Sequence, residues 1–271
     1  MSDRERLSGY VGLWWEAIDE FTTLLEELDE ADWTRPTDLA GWDVHAVAAH
    51  TAHLECVLAG GPEETVDVGS PEHVTGLMGL YTEQGVVARR DRTPDELINE
   101  IRESATTRHT ELLAAPPDDA TAVPERIFGG IGWSWERLLR NRVVDVWMHE
   151  QDVRRAVGRP GNLDTGPAKH TADYLSESFG VVVGKRVAPP AGTCAVLTVA
   201  GSPARAVEVN DAGRAVTLPV APAEPNVVLE MGREAFIVIA GGRRWPDDEA
   251  VTVEGDAELG RKILDAMAVT P

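Results

Sequence analysis

Lysine is nearly missing from this sequence: it stands only at positions 169, 185 and 262 of 271, so arginine carries almost all of the positive charge. Cysteine is as scarce, with Cys56 and Cys194 far apart and in no Cys-x-x-Cys arrangement. That excludes a disulfide framework or a cysteine-rich zinc module and suits a reduced, cytoplasmic protein. No run of about 18 apolar residues occurs, so no segment is expected to span a membrane. The opening MSDRERLSG is charged and has no apolar core, and no signal peptide is expected from it. Positive charge is short altogether, since 25 Lys+Arg stand against 46 Asp+Glu, a formal net charge of −21 spread along the chain. Such a field repels nucleic acid and anionic membrane surfaces, and neither is expected as a partner.

Against these absences stands one stretch rich in chemistry, residues 141–158, NRVVDVWMHEQDVRRAVG. Asp145, His149 and Asp152 fall at i, i+4 and i+7 and so project from one helix face. Val143, Val144, Val146, Trp147 and Met148 make the segment apolar nearly all round, which predicts burial in a bundle. A buried carboxylate must be hydrogen-bonded, protonated or bound to a metal. Asp145 and His149 can therefore either grip a divalent ion, with a third ligand from another helix, or form a polar network in the core. Asp152 is expected to accept the second ring N–H of His149 or to pair with Arg155.

Taken in order, the chain predicts a long amphipathic helix over 3–31, with Leu7, Val11, Trp14, Ile18, Phe21, Leu25 and Leu28 at three- and four-residue steps. Asp43 stands at the N-cap position of a second helix, 44–58, whose His50 is the candidate third ligand, with His45 and His53 as rivals. After a Gly-rich loop, a weaker helix is expected over 71–90. Thr93-Pro94-Asp95-Glu96 then forms a capping box that opens a helix running through Leu112. Ser134 caps the helix that carries Asp145 and His149 and that ends at Gly158. One more helix is expected over 167–187, and Pro189-Pro190-Ala191-Gly192 has linker character. Beyond it the period drops towards two, predicting strands at 194–199, 205–209, 214–218 and 226–231, a helix at 233–241, a strand at 250–255 and a helix over 256–267. The expected architecture is α plus α+β, a helical bundle followed by a small α+β domain.

With GWDVHAVAAH (41–50), DVWMHEQDVRRAVGRP (145–160) and AFIVIAGGRRW…VTVEGDAELGRKILDAM (235–267) in this order, the chain resembles the mycothiol-dependent maleylpyruvate isomerase-like family over almost its whole length. The resemblance implies an N-terminal DinB-like four-helix bundle that binds metal, placed over residues 1–188. It implies a C-terminal sterol carrier protein-like α+β domain, placed over 189–271. Carried over residue by residue, it puts the metal ligands at His50, Asp145 and His149. At the acidic position the family has Glu, and Asp here is shorter by one methylene, about 1.5 Å of reach. The family's basic residue falls on Arg243, whose guanidinium would pair with a substrate carboxylate, with Arg244 as the adjacent rival.

Two histidines and one carboxylate leave a fourth position open for water or an exogenous thiol. The resemblance implies a divalent metal, zinc, and mycothiol as that thiol. In maleylpyruvate isomerisation the thiolate would add to the cis alkene, the carbon–carbon bond would rotate, and elimination would leave fumarylpyruvate. The expected function is thus a metal- and mycothiol-dependent isomerase or thiol S-transferase. It would act on a small electrophile as a monomer or homodimer. The alternative is a non-catalytic small-molecule-binding or regulatory protein, and metal content separates the two.

Overall fold

The computed structural model describes residues 1–244 and 250–270; Trp245 of the AFIVIAGGRRW stretch lies outside them. Its contacts divide the chain into two compact units, Met1–Gly161 and Asn162–Pro271.

The first unit is helical. Helix α1 (Asp3–Glu26) buries Leu7, Val11, Trp14, Ile18, Phe21 and Leu25, the stripe read from the sequence. It stops short of residue 31, although the apolar spacing continues to Leu28. Its last turn holds no basic residue, and Glu26, Glu27, Asp29 and Glu30 crowd negative charge onto the negative end of the helix dipole. The Asp32 carboxylate instead accepts the Asp29 N–H at 3.3 Å and a separate 3₁₀ turn, Glu30–Asp32, begins. Helix α2 (Val44–Leu58) starts where expected, with Asp43 accepting the Ala46 N–H at 2.8 Å. Helix α3 (Gly76–Ala88) is shorter than the 71–90 expectation. Helix α4 (Pro94–Ala114) has the capping box, the Thr93 N–H donating to Glu96 at 2.7 Å. Helix α5 (Trp135–Val157) runs from the Ser134 cap to Gly158, whose φ of 70° ends it in the left-handed region. Helix α1 packs against α4 and α5, and α2 packs against α3, α4 and α5. Helices α1, α2, α4 and α5 thus enclose one core, and α2 and α5 are neighbours in it.

The second unit is a mixed sheet with helices. Helix α6 (Gly166–Ser176) is followed by a short turn, α7 (Phe179–Val181), and a π-helical segment, Val182–Val187. Strands β1 (Cys194–Val199), β2 (Arg205–Val209), β3 (Ala215–Leu218), β4 (Val227–Met231) and β5 (Val251–Gly255) lie in the order β3-β2-β1-β4-β5. Only the β1–β4 pair is parallel. Helix α8 (Arg233–Ala240) connects β4 to the last strand, and α9 (Ala257–Asp265) follows it. Gly260 of α9 sits tight on the sheet, where a Cβ would meet Val253 at 2.4 Å.

Two features of this unit differ from the sequence reading. The helix expected over 167–187 is broken after Ser176, and Gly184 has no room for a side chain, since a Cβ there would lie 2.5 Å from the Ala215 backbone nitrogen. The Pro189–Gly192 stretch lies inside the second unit, and the division falls instead after Gly161. Side-chain bonds explain this: Arg205 donates to Ser176 and to the Asp173 carbonyl, and Arg233 pairs with Asp164 at 2.9 Å. These tie residues 162–176 to the sheet and to α8.

Candidate metal centre

His50 of α2 and Asp145 and His149 of α5 come together inside the helical unit, with one potential ligand atom from each lying within 4.8 Å of the others. Asp145 Oδ2 is 3.6 Å from His50 Nε2, and Asp145 Oδ1 is 3.7 Å from His149 Nε2. Both separations exceed normal hydrogen-bond reach. Each is close to the ~3.4 Å edge of a tetrahedron with metal–ligand bonds of ~2.1 Å, the His50 ring facing one Asp145 oxygen and the His149 ring the other. The donor set of two imidazoles and a carboxylate therefore fits a borderline divalent ion, zinc among them. His50 and His149 are buried, while the Asp145 side chain keeps 22% of its surface open.

The charge states suit ligation. Burial alone would raise the Asp145 carboxyl, but the Arg142 guanidinium and the two imidazoles outweigh it and hold the group well below the ordinary carboxylate range. Burial pushes the His50 imidazole down, against the opposing pull of Asp145. At neutral pH the pair is a carboxylate and a neutral ring.

Asp152 does both things expected of it: Oδ2 lies 3.2 Å from His149 Nδ1, and Oδ1 accepts from Arg155 at 2.5 Å. That leaves the His149 Nε2 atom facing Asp145. The rivals to His50 are engaged elsewhere. His45 Nε2 is bonded to the Arg92 carbonyl at 2.8 Å, and His53 is buried 3.5 Å from the Arg89 guanidinium. Arg243 belongs to the second unit, where it donates to the Gly241 carbonyl and lies 3.4 Å from Thr270 Oγ1. Arg244, next to it, is exposed.

Several residues around the donors were not picked out from the sequence. Trp42 lies against both imidazoles, its ring centroid 5.0 Å from His50 and 6.1 Å from His149. Its Nε1 donates to Glu83 at 2.9 Å, and Glu83 also meets His73 Nε2 at 3.1 Å. Gly41 makes this loop possible: its φ is +80°, and a Cβ would come within 2.3 Å of the His73 ring. Behind Asp145 stands a fully buried ion pair. Arg142 Nη1 donates to Asp145 Oδ2 at 2.7 Å, while its Nε and Nη2 donate to Glu55 Oε1 at 3.1 and 2.7 Å. Glu55 Oε1 also accepts the Trp14 indole N–H at 3.0 Å, and Arg108 lies 3.5 Å from Oε2. The sequence held a signal for these, an ionisable residue inside each of two apolar helices, but not their mutual contact.

A search among curated proteins gave no match. Of the known domain families, the one described as Mycothiol maleylpyruvate isomerase N-terminal domain matches residues 14–154, and the MDMPI C-terminal domain matches residues 169–261. Among solved structures, the crystal structure of the mycothiol-dependent maleylpyruvate isomerase is similar at a TM-score of 0.56 and 17% identity, covering 94% of this chain and 95% of that chain. A histidine-to-alanine variant of that enzyme is similar at 0.55 and 16%, with the same coverage. At such identity the likeness is one of fold, a helical region followed by a small mixed-sheet domain.

Proposed function

The chain belongs to the mycothiol maleylpyruvate isomerase family, and from that premise we propose that it is a metal- and mycothiol-dependent enzyme acting on a small electrophile by cis–trans isomerisation or by thiol transfer. In this reading His50, Asp145 and His149 hold a divalent ion, zinc. The observation that carries it is the meeting of these three donors at separations too long for hydrogen bonds and suited to ligands of one ion.

A bound divalent ion supplies Lewis acidity that keeps the sulfur of a coordinating thiol such as mycothiol deprotonated near neutral pH. The chain's own residues prepare for this. Asp145 is ionised and His50 neutral without help from the ion. The three donors bring a single negative charge, the His149 ring is held by Asp152, and Trp42 shields the imidazoles on one side. Arg243 is proposed to pair with a substrate carboxylate. The DinB-like and sterol carrier protein-like character of the two domains belongs to the same reading.

The competing reading, a non-catalytic binding protein in which these side chains form only a structural network, draws on one observation: Arg142 already pairs with Asp145 at 2.7 Å. Metal analysis and turnover decide between them. The purified protein is expected to bind about one zinc and to consume maleylpyruvate or another electrophile only with mycothiol present. A zinc content near zero, with no thiol-dependent turnover across a panel of electrophiles, rejects the enzymatic reading.

A further inference from the structure

Glu55 receives one side chain from each of the other three principal helices of the unit: Trp14 from α1, Arg108 from α4 and Arg142 from α5. Glu55 and Arg142 have no exposed surface. The network does not end there, because Arg142 has a third nitrogen and that one is bonded to Asp145. Each of the two helices that offer a metal donor therefore also supplies one half of the ion pair. On α2 the donor is His50 and the anchor is Glu55; on α5 the donors are Asp145 and His149 and the anchor is Arg142.

The guanidinium is planar, and two of its three nitrogens are fixed on one Glu55 oxygen. Its remaining fork arm has no freedom to follow a moving carboxylate. Oδ2 of Asp145, 3.6 Å from His50 Nε2, thereby accepts from Arg142, while Oδ1, 3.7 Å from His149 Nε2, is the oxygen that the guanidinium does not hold. The same pair sets the distance between α2 and α5 beside the donors.

We propose that the buried Glu55–Arg142 pair is the positioning device of the centre, spacing His50 from Asp145 and His149 and restricting Asp145 to binding a cation through one oxygen. Neither residue touches the ion or substrate. The inference rests on the reading of His50, Asp145 and His149 as a metal site.

The test uses the full chain, stripped with a chelator, in three forms: wild type, Glu55→Gln, and the double variant Glu55→Gln/Arg142→Met. Each is titrated with Zn²⁺ against a chromophoric competitor and with Co²⁺ by visible absorption, and the thermal midpoint of each metal-free form is measured. Positioning predicts Zn²⁺ binding weaker by ~10–100-fold in both variants, the range seen when groups that orient metal ligands are removed. It also predicts altered Co²⁺ bands, because Asp145 is then free to turn its second oxygen. The double variant keeps the net charge but leaves Arg108 without its carboxylate, so its midpoint is expected to fall, and the Co²⁺ bands of the folded protein separate loss of positioning from loss of stability. Wild-type affinity and Co²⁺ bands in either folded variant overturn the proposal. So does an affinity loss that merely follows the midpoint while the Co²⁺ bands stay unchanged. A wild-type chain that binds neither ion defeats the metal reading itself, and this inference with it.

Discussion

Replacing Asp145 by asparagine removes one negative charge at nearly constant volume, and the charges packed around it set the cost. In the native chain two buried cations, Arg108 and Arg142, face two anions, Glu55 and Asp145. The variant leaves both guanidiniums on Glu55 alone. Breaking a fully buried pair costs about 3–5 kcal/mol. The Asp145 side chain is 22% exposed, and the asparagine oxygen can still accept from Arg142, so the cost is closer to that of weakening one charged hydrogen bond, about 2 kcal/mol. For a chain of this size that lowers the metal-free thermal midpoint by about 4–8 °C, which leaves a folded protein. Metal binding should suffer far more, because a neutral amide replaces the only anionic donor; a loss beyond the ~100-fold seen for outer partners is expected. Asp145→Glu keeps the charge and is expected to keep metal. Zinc per protein after dialysis, with calorimetry in the presence and absence of chelator, measures both effects. Wild-type zinc content in Asp145→Asn, or metal kept by Asn and lost by Glu, would refute the assignment of Asp145 as a ligand.

Other substitutions test other parts of the helical unit. Burial pushes His53 down to about 3 from 6.5, with Arg89 adding to the effect, so the folded state refuses a proton that the unfolded chain takes up; its contribution is complete above pH 6.5 and shrinks as pH falls towards 3. His53→Phe should flatten the fall of thermal midpoint over that window, and parallel curves for the two proteins would contradict this. Glu20 behaves oppositely: burial, with Glu150 and Glu16 adding, raises it from 4.5 to about 7, so the folded state is favoured below pH 4.5 and loses that advantage as pH rises through 7. Glu20→Gln should raise the midpoint at pH 8 and leave it unchanged at pH 4; an equal shift at both would show that its charge is irrelevant. Gly41→Ala forces a side chain into a backbone at φ +80° and against the His73 ring, a conformation that costs about 1–2 kcal/mol. It should lower the midpoint and weaken zinc binding by displacing Trp42, and an unchanged protein would remove the Trp42 loop from the site.

Local rules reached far into this fold where the deciding interaction lies within a few residues. The Thr93–Glu96 capping box, the Asp43 and Ser134 caps and the Gly158 stop are contacts across three or four positions, and each stands where the residues place it. The end of α1 was harder, because the apolar spacing runs on to Leu28 while charge at the C-terminus stops the helix at Glu26. The π-helical segment that replaces the end of the expected helix lies with Gly184 tight against β3, a contact across some thirty residues that no period reveals. The same holds at the centre. Asp145 and His149 share a face by spacing alone, whereas His50 stood ahead of His45 and His53 through the family resemblance, and its approach to α5 is a contact that no spacing shows. Glu55 and Arg142 look like isolated charges in apolar helices until both helices are packed.

The four-helix convergence on Glu55 also bears on how the unit folds. An intermediate with only two or three helices docked would hold a buried carboxylate or guanidinium whose partner had not yet arrived, and such a charge is strongly unfavourable away from water. Partly assembled bundles are therefore penalised, while the complete one is not. Unfolding of residues 1–161 should accordingly be cooperative, with helix content and burial of Trp14 lost in a single transition. A network usually judged by its effect on stability here acts on the route, by closing off the half-built states that a purely apolar core would tolerate.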